Sequence, residues 1–103
     1  AENQRGEKFI VEMQNKDEYD FGKRSFYYTS KPYVSQLKKG ENYSKLQKVY
    51  FIAFINFNMF ESKRYLSRHL ILNLETHEQD LDQFSFSFIE LKKFNKQLNE
   101  LEN

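Results

Sequence analysis

Phe84-Ser85-Phe86-Ser87-Phe88-Ile89-Glu90-Leu91 alternates apolar and polar residues cleanly, the period-two signature of a strand with one buried and one polar face. Residues 49–57 are apolar almost throughout, which predicts a strand buried on both faces in the middle of a sheet. Residues 8–14 read as a strand from their β-branched and aromatic content. Residues 65–74 alternate more weakly and predict a strand with Leu66, Leu70, Leu72 and Leu74 on one side. Between the first two strands, residues 17–37 predict a helix. Tyr19, Phe26, Tyr33, Val34 and Leu37 fall at helical spacings, and Asp17, Glu18 and Asp20 occupy the first turns, where the helix dipole favours anions. Gly22 weakens this helix by roughly 1 kcal/mol relative to Ala, and Pro32 is expected to kink or interrupt it near Ser30-Lys31. Lys38-Lys39-Gly40 supplies a basic last turn and a stop. Residues 41–48 form a polar connection, residues 75–82 an acidic turn, and a short helix runs from Lys92 onward. The predicted order is strand, helix, strand, strand, strand, helix.

Asn3-Gln4-Arg5-Gly6 reads as a tight turn, with Gly6 supplying positive φ. A turn that opens a strand usually closes a hairpin. The expected partner strand therefore precedes residue 1, with only its last residue or two present. The chain reads as a fragment whose sheet has lost a strand, and residues 98–103 stop inside a helix-like pattern.

Composition narrows the class. At 103 residues the chain is one domain at most. Hydrophobic residues make up only 39%, but 11 Phe and 7 Tyr supply large buried areas, so an ordered core is expected despite 30% charged residues. The lack of Cys excludes a disulfide scaffold, thiolate metal sites and a Cys nucleophile. No apolar run approaches the roughly 20 residues that span a bilayer, and no signal peptide opens the chain. The expectation is a soluble cytoplasmic protein without a membrane partner. Net charge is +1, but residues 23–48 hold seven basic residues (Lys23, Arg24, Lys31, Lys38, Lys39, Lys45, Lys48) against Glu41 alone. Such a stretch suits a phosphate backbone, or is simply a solvated face.

Candidate chemistry begins in the first strand. Glu12 and Gln14 are two apart and share a face, while Phe9, Val11 and Met13 take the other. A carboxylate in an apolar strand costs burial energy unless it is paired, hydrogen-bonded or on a metal. Mg²⁺ suits such a site, with Glu12 as one ligand, the Met13 backbone carbonyl as another, and the Gln14 amide orienting a water or the scissile phosphate. By itself Glu-x-Gln is a common strand pattern. No His pair has metal-binding spacing, no Gly-rich phosphate loop is present, and the Phe84, Phe86, Phe88 stripe reads as core rather than as a base-stacking platform. The acidic run Glu75, Glu78, Asp80, Asp82 lacks the Gly and the spacing of a calcium loop.

Taken in succession, Phe9-Ile10-Val11-Glu12-Met13-Gln14, the helix segment with Arg24, Tyr27 and Tyr28, and Phe88-Ile89-Glu90-Leu91-Lys92-Lys93-Phe94 resemble the PD-(D/E)XK nuclease superfamily. The closest likeness is to its bacterial transposase-related, recombination-promoting branch, over essentially the whole chain. The resemblance implies a truncated α+β domain of the restriction-endonuclease-like kind, spanning residues 1–103. Its mixed sheet has about four strands here, with a long helix after the first and a short C-terminal helix. It implies that Glu12 binds a divalent metal, Mg²⁺ or Mn²⁺, and that Gln14 stands where most of the superfamily has Lys. Arg24 and Tyr28 take helix positions beside the active site, touching phosphate or bracing Glu12. Lys23, Arg24, Tyr28, Lys31, Lys38 and Lys39 are the implied DNA contacts, and Glu12, Gln14 and Arg24 the catalytic set. The family's first metal-binding Asp falls on the strand before the hairpin, ahead of Ala1, and neither Asp17 nor Asp20 replaces it. The expectation is a piece of a Mg²⁺-dependent DNA endonuclease linked to recombination or mobile elements, itself holding metal weakly and cutting little. Two alternatives remain open: a non-catalytic module binding nucleic acid or protein through residues 23–48, and a homo-oligomer paired through an exposed sheet edge.

Overall fold

The computed structural model describes residues 1–17 and 20–102. Strand β1 (Lys8–Gln14) leads to helix α1 (Phe21–Ser35). Then come a 3₁₀ turn (Tyr43–Lys45), β2 (Val49–Ile55), β3 (Leu66–Leu70), β4 (Phe84–Glu90) and α2 (Leu91–Glu102). The strands form one sheet in the order β1-β2-β4-β3. β1, β2 and β4 run parallel and β3 pairs antiparallel with β4, so the sheet is mixed and the fold is α+β, as in a restriction-endonuclease-like core.

The register aligns three parallel strands row by row. Ile10, Phe51 and Phe86 share one row; Glu12, Ala53 and Phe88 the next; Gln14, Ile55 and Glu90 the last. All of these side chains lie on the face that packs under α1. Phe21, Phe51, Ala53, Ile55, Phe57, Phe86 and Phe88 form the core there, with Phe21 placed edge-on against both Phe57 and Phe88. The Phe84-Phe86-Phe88 stripe is therefore core. β2 is internal as expected, but it is not buried equally on both faces. Val49, Phe51, Ala53 and Ile55 are buried, whereas Tyr50, Ile52 and Phe54 are half-buried. On that second face Phe9 stacks on Tyr50, and Val11 and Met13 stand 61% and 62% exposed.

α1 corrects the sequence reading. It spans 15 residues and begins after Asp20, which has a left-handed φ of 76° and makes no side-chain cap. Asp17 and Asp20 thus precede the helix, and Glu18 and Tyr19 lie outside the described residues. The buried positions facing the sheet are Phe21, Ser25 and Thr29; of the expected apolar stripe, Phe26 and Tyr33 reach β4 with their rings, 4.6 Å from Phe86 and 4.7 Å from Phe84 between centroids, while Val34 is 71% exposed. Small side chains let the helix backbone approach the aromatic sheet. Their hydroxyls stay satisfied by donating to the carbonyls of Gly22 and Phe26. Pro32 sits inside the helix, which continues to Ser35 without interruption. The Lys38-Lys39-Gly40 segment is not a last helical turn. It is a separate turn in which Glu41 N–H bonds the Lys38 carbonyl and the Glu41 carboxylate accepts from the Lys38 N–H.

α1 runs back against the strands. Its start touches Phe57 and Phe88 beside the strand C-termini. Its end reaches Gln83, Phe84 and the Gln47 backbone at the strand N-termini. β3 is shorter than the sequence implies, and Leu72 and Leu74 lie beyond it, exposed. The acidic segment after it is a turn organised by the Asn73 side chain, whose Oδ1 accepts from the N–H groups of Glu75 and Thr76. Among the described residues no helix is long and apolar enough to cross a membrane.

Candidate active site

The expected turn at the start of the chain is present. Gly6 has φ 79°, which a side chain would strain, and its N–H bonds the Asn3 carbonyl. Residues 1–3 fold back antiparallel on β1, with Ala1 and Phe9 exchanging two backbone bonds and Glu2 bridging Lys8. These bonds fix which way the β1 peptides face. Lys8 donates to the Lys48 carbonyl and Gln14 accepts from Asn56 N–H, so the even residues bond toward β2. Phe9 bonds outward to Ala1, so Val11 and Met13 also aim their N–H and C=O groups at the open edge.

β1 therefore presents two oxygens at one corner. The Glu12 carboxylate lies half-buried on the core face, in the row of Ala53, whose single methyl crowds it little. Among the described residues no hydrogen bond or ion pair holds it. The Met13 carbonyl points along the sheet plane from the adjacent position. Gln14 is also half-buried, and its Nε2 donates to the Lys16 carbonyl at 3.1 Å, which leaves the amide oxygen unoccupied among the described residues. A carboxylate and a peptide carbonyl are hard oxygen donors of the type that Mg²⁺ and Mn²⁺ accept, and they fit part of an octahedral shell that also takes waters and phosphate oxygens. Among the described residues no group of three His, Cys, Asp or Glu side chains could hold a metal on its own.

Arg24 and Tyr28 meet as their i, i+4 spacing requires. Nη2 of Arg24 donates to the Tyr28 hydroxyl at 2.7 Å, and the guanidinium also lies over the ring. No hydrogen bond or ion pair joins Arg24 to Glu12 among the described residues. Lys23, Tyr27 and Lys31 line the exposed side of α1, with the Lys31 ammonium 4.5 Å from the Tyr27 ring centroid. The basic stretch is split by the helix. Lys23 and Arg24 sit at the carboxylate end of the sheet, while Lys38 and Lys39 sit beyond the far end of α1, with about 17 Å of helix between.

Sequence reasoning missed Glu90. It is fully buried at the end of β4, in the same row as Gln14. Its Oε2 accepts from Met59 N–H at 3.0 Å and pairs with Lys93 Nζ at 2.6 Å, and Lys93 also donates to the Phe60 carbonyl at 2.6 Å. The signal was in the alternation itself: Phe84, Phe86 and Phe88 set the buried phase, and Glu90 continues it. Met59, held by Glu90, packs beside Gly22 at the start of α1. The buried pair thus ties α2 and the loop after β2 to the end of α1 that carries Arg24.

No curated protein and no solved structure matches the chain. The family model described as PD-(D/E)XK nuclease family transposase matches residues 1–103. With an α+β core under one long helix and a Glu-x-Gln strand at its edge, the chain belongs to the PD-(D/E)XK nuclease family transposases.

Proposed function

We propose that residues 1–103 carry part of the active site of a Mg²⁺-dependent DNA endonuclease, with Mn²⁺ able to substitute, serving the mobile-element role of its family. PD-(D/E)XK nucleases generally use divalent metal ions. A divalent ion at such a site activates water and offsets the charge that develops on the phosphate. The observation that carries the reading is the half-buried Glu12 carboxylate, with no hydrogen bond or ion pair among the described residues, beside the outward-facing Met13 carbonyl.

Each residue then has a task of its own. Glu12 supplies the fixed negative charge, and the Met13 carbonyl the neutral oxygen next to it. The free oxygen of Gln14 accepts from a water and so orients it. Arg24, steadied by the Tyr28 hydroxyl, supplies the positive charge that Gln14 lacks in the place of Lys. Lys23 extends that charge along the first turn of α1, and Lys31, Lys38 and Lys39 lie farther from the reacting corner. Among the described residues no cluster of three acidic or His side chains joins Glu12, so weak metal binding and slow cutting are the expected behaviour of residues 1–103.

Calorimetric titration of Mn²⁺ and Mg²⁺ into the chain and into Glu12→Gln tests this. Weak binding that the substitution removes is expected. Equal binding by both proteins, or efficient plasmid nicking that survives Glu12→Gln, overturns it.

A further inference from the structure

We infer that the cleft between residues 58–63 and α2 grips the phosphodiester backbone of the nucleic acid, through Lys63, Lys92 and Lys96. The inference deepens the endonuclease reading and rests on it for the identity of the polyanion. The cleft has a volume of about 410 Å³ and opens just beyond the C-terminal ends of β2 and β4. α2 follows β4 with no intervening residue, so its first turn is fixed to the sheet. Gln14 and Glu90 flank Ile55 in one row, two strand spacings or about 10 Å apart, so the cleft that opens beyond Glu90 lies at the same end of the sheet as the corner holding Glu12.

The walls are cross-bonded before any ligand arrives. Lys93 is held by Glu90 and by the Phe60 carbonyl, and Gln97 Nε2 donates to the Lys63 carbonyl at 3.0 Å. The three remaining ammonium groups make no ion pair among the described residues, although Glu61 and Glu100 line the same cleft. Lys92, Lys96 and Glu100 follow one another at i, i+4, and Lys before Glu is the weaker order for pairing on a helix. Lys92 also sits in a first turn that holds no acidic residue, where the helix dipole disfavours a cation. A docked anion reverses that disadvantage. Lys92 and Lys96 are separated by about 6 Å of helical rise, with Lys63 on the opposite wall. That spread suits a chain of phosphates better than a single one.

The test is fluorescence anisotropy of a labelled 20-base-pair duplex in EDTA, titrated across a salt series. Two variants of equal charge are compared: Lys63→Gln/Lys92→Gln/Lys96→Gln, and Lys31→Gln/Lys38→Gln/Lys39→Gln at the other end of the molecule. The cleft variant is expected to lose at least tenfold in affinity, to lower the slope of log K against log salt by about 2–3, and to lose more than the comparator. Replacing the three cleft lysines by Arg is expected to retain binding, which a merely structural role would not require. Failure of the native chain to bind, or equal losses in the two variants, overturns the inference. Metal binding to the native chain and Glu12→Gln judges the endonuclease reading separately, because it makes no use of the cleft.

Discussion

Lys93 and Glu90 meet at 2.6 Å, three residues apart across the junction of β4 and α2, with the Glu90 carboxylate wholly removed from solvent. Breaking a buried pair strands a charge, whereas replacing both partners by apolar groups does not. Glu90→Ala and Lys93→Ala are each expected to cost about 3–5 kcal/mol in urea denaturation. The double variant Glu90→Leu/Lys93→Met is expected to cost clearly less than the two single changes together. Strict additivity would show that the two charges do not act as a pair.

The packing of α1 gives a second prediction. Ser25 and Thr29 are buried on α1, so Ser25→Leu is expected to overpack the interface and cost about 1–3 kcal/mol. Val34 is exposed, and Val34→Ser is expected to stay within about 0.5 kcal/mol of the native protein. The opposite ranking in thermal melts would mean that Val34 rather than Ser25 lies in the contact between helix and sheet.

The turn after α1 titrates. The Glu41 carboxyl is held below its ordinary value of 4.5, first by a hydrogen bond from the Lys45 ammonium, then by the Lys38 N–H and by the charge of Lys45. A carboxyl depressed in the folded state stabilises the fold above its unfolded pKa. That contribution is lost as pH falls through the folded value. A carbon NMR titration is expected to place the Glu41 midpoint below 4.5, with the Lys38 amide moving in step. A midpoint at or above 4.5 would contradict the turn geometry.

Among the described residues Glu12 has no hydrogen-bond or ion-pair partner to lose. Glu12→Gln is therefore expected to leave stability within about 0.5 kcal/mol of the native value while removing the response to divalent metal. A large loss of stability in metal-free buffer would assign Glu12 a structural role instead.

The legible parts of the sequence were those governed by parity. Phe84 to Glu90 alternates and forms β4. Glu12 and Gln14 share a face because nothing interrupts the count between them. The i, i+4 pairing of Arg24 with Tyr28 was equally direct. The helix face was legible only in part: Phe26 and Tyr33 reach the rings of Phe86 and Phe84, but burial at Ser25 and Thr29 comes from close backbone approach, and small hydroxyl side chains carry no apolar signature. The break between Lys31 and Lys38 depends on a helix that ends at Ser35 rather than Leu37 and is followed by a turn. Glu90 was passed over because a lone acidic residue at a strand end looks like a solvent-facing terminus.

In β1 the side chain of Glu12 and the peptide group of Met13 leave the backbone at right angles, yet both reach the same corner. A strand offers this pair of directions in only one frame. Deleting one residue between Gly6 and Glu12 would put the Met13 thioether in place of the carboxylate, inserting one would put the Val11 side chain there, and either would turn the Met13 carbonyl inward. The corner can therefore be kept or lost by length changes in this segment, but not gradually adjusted.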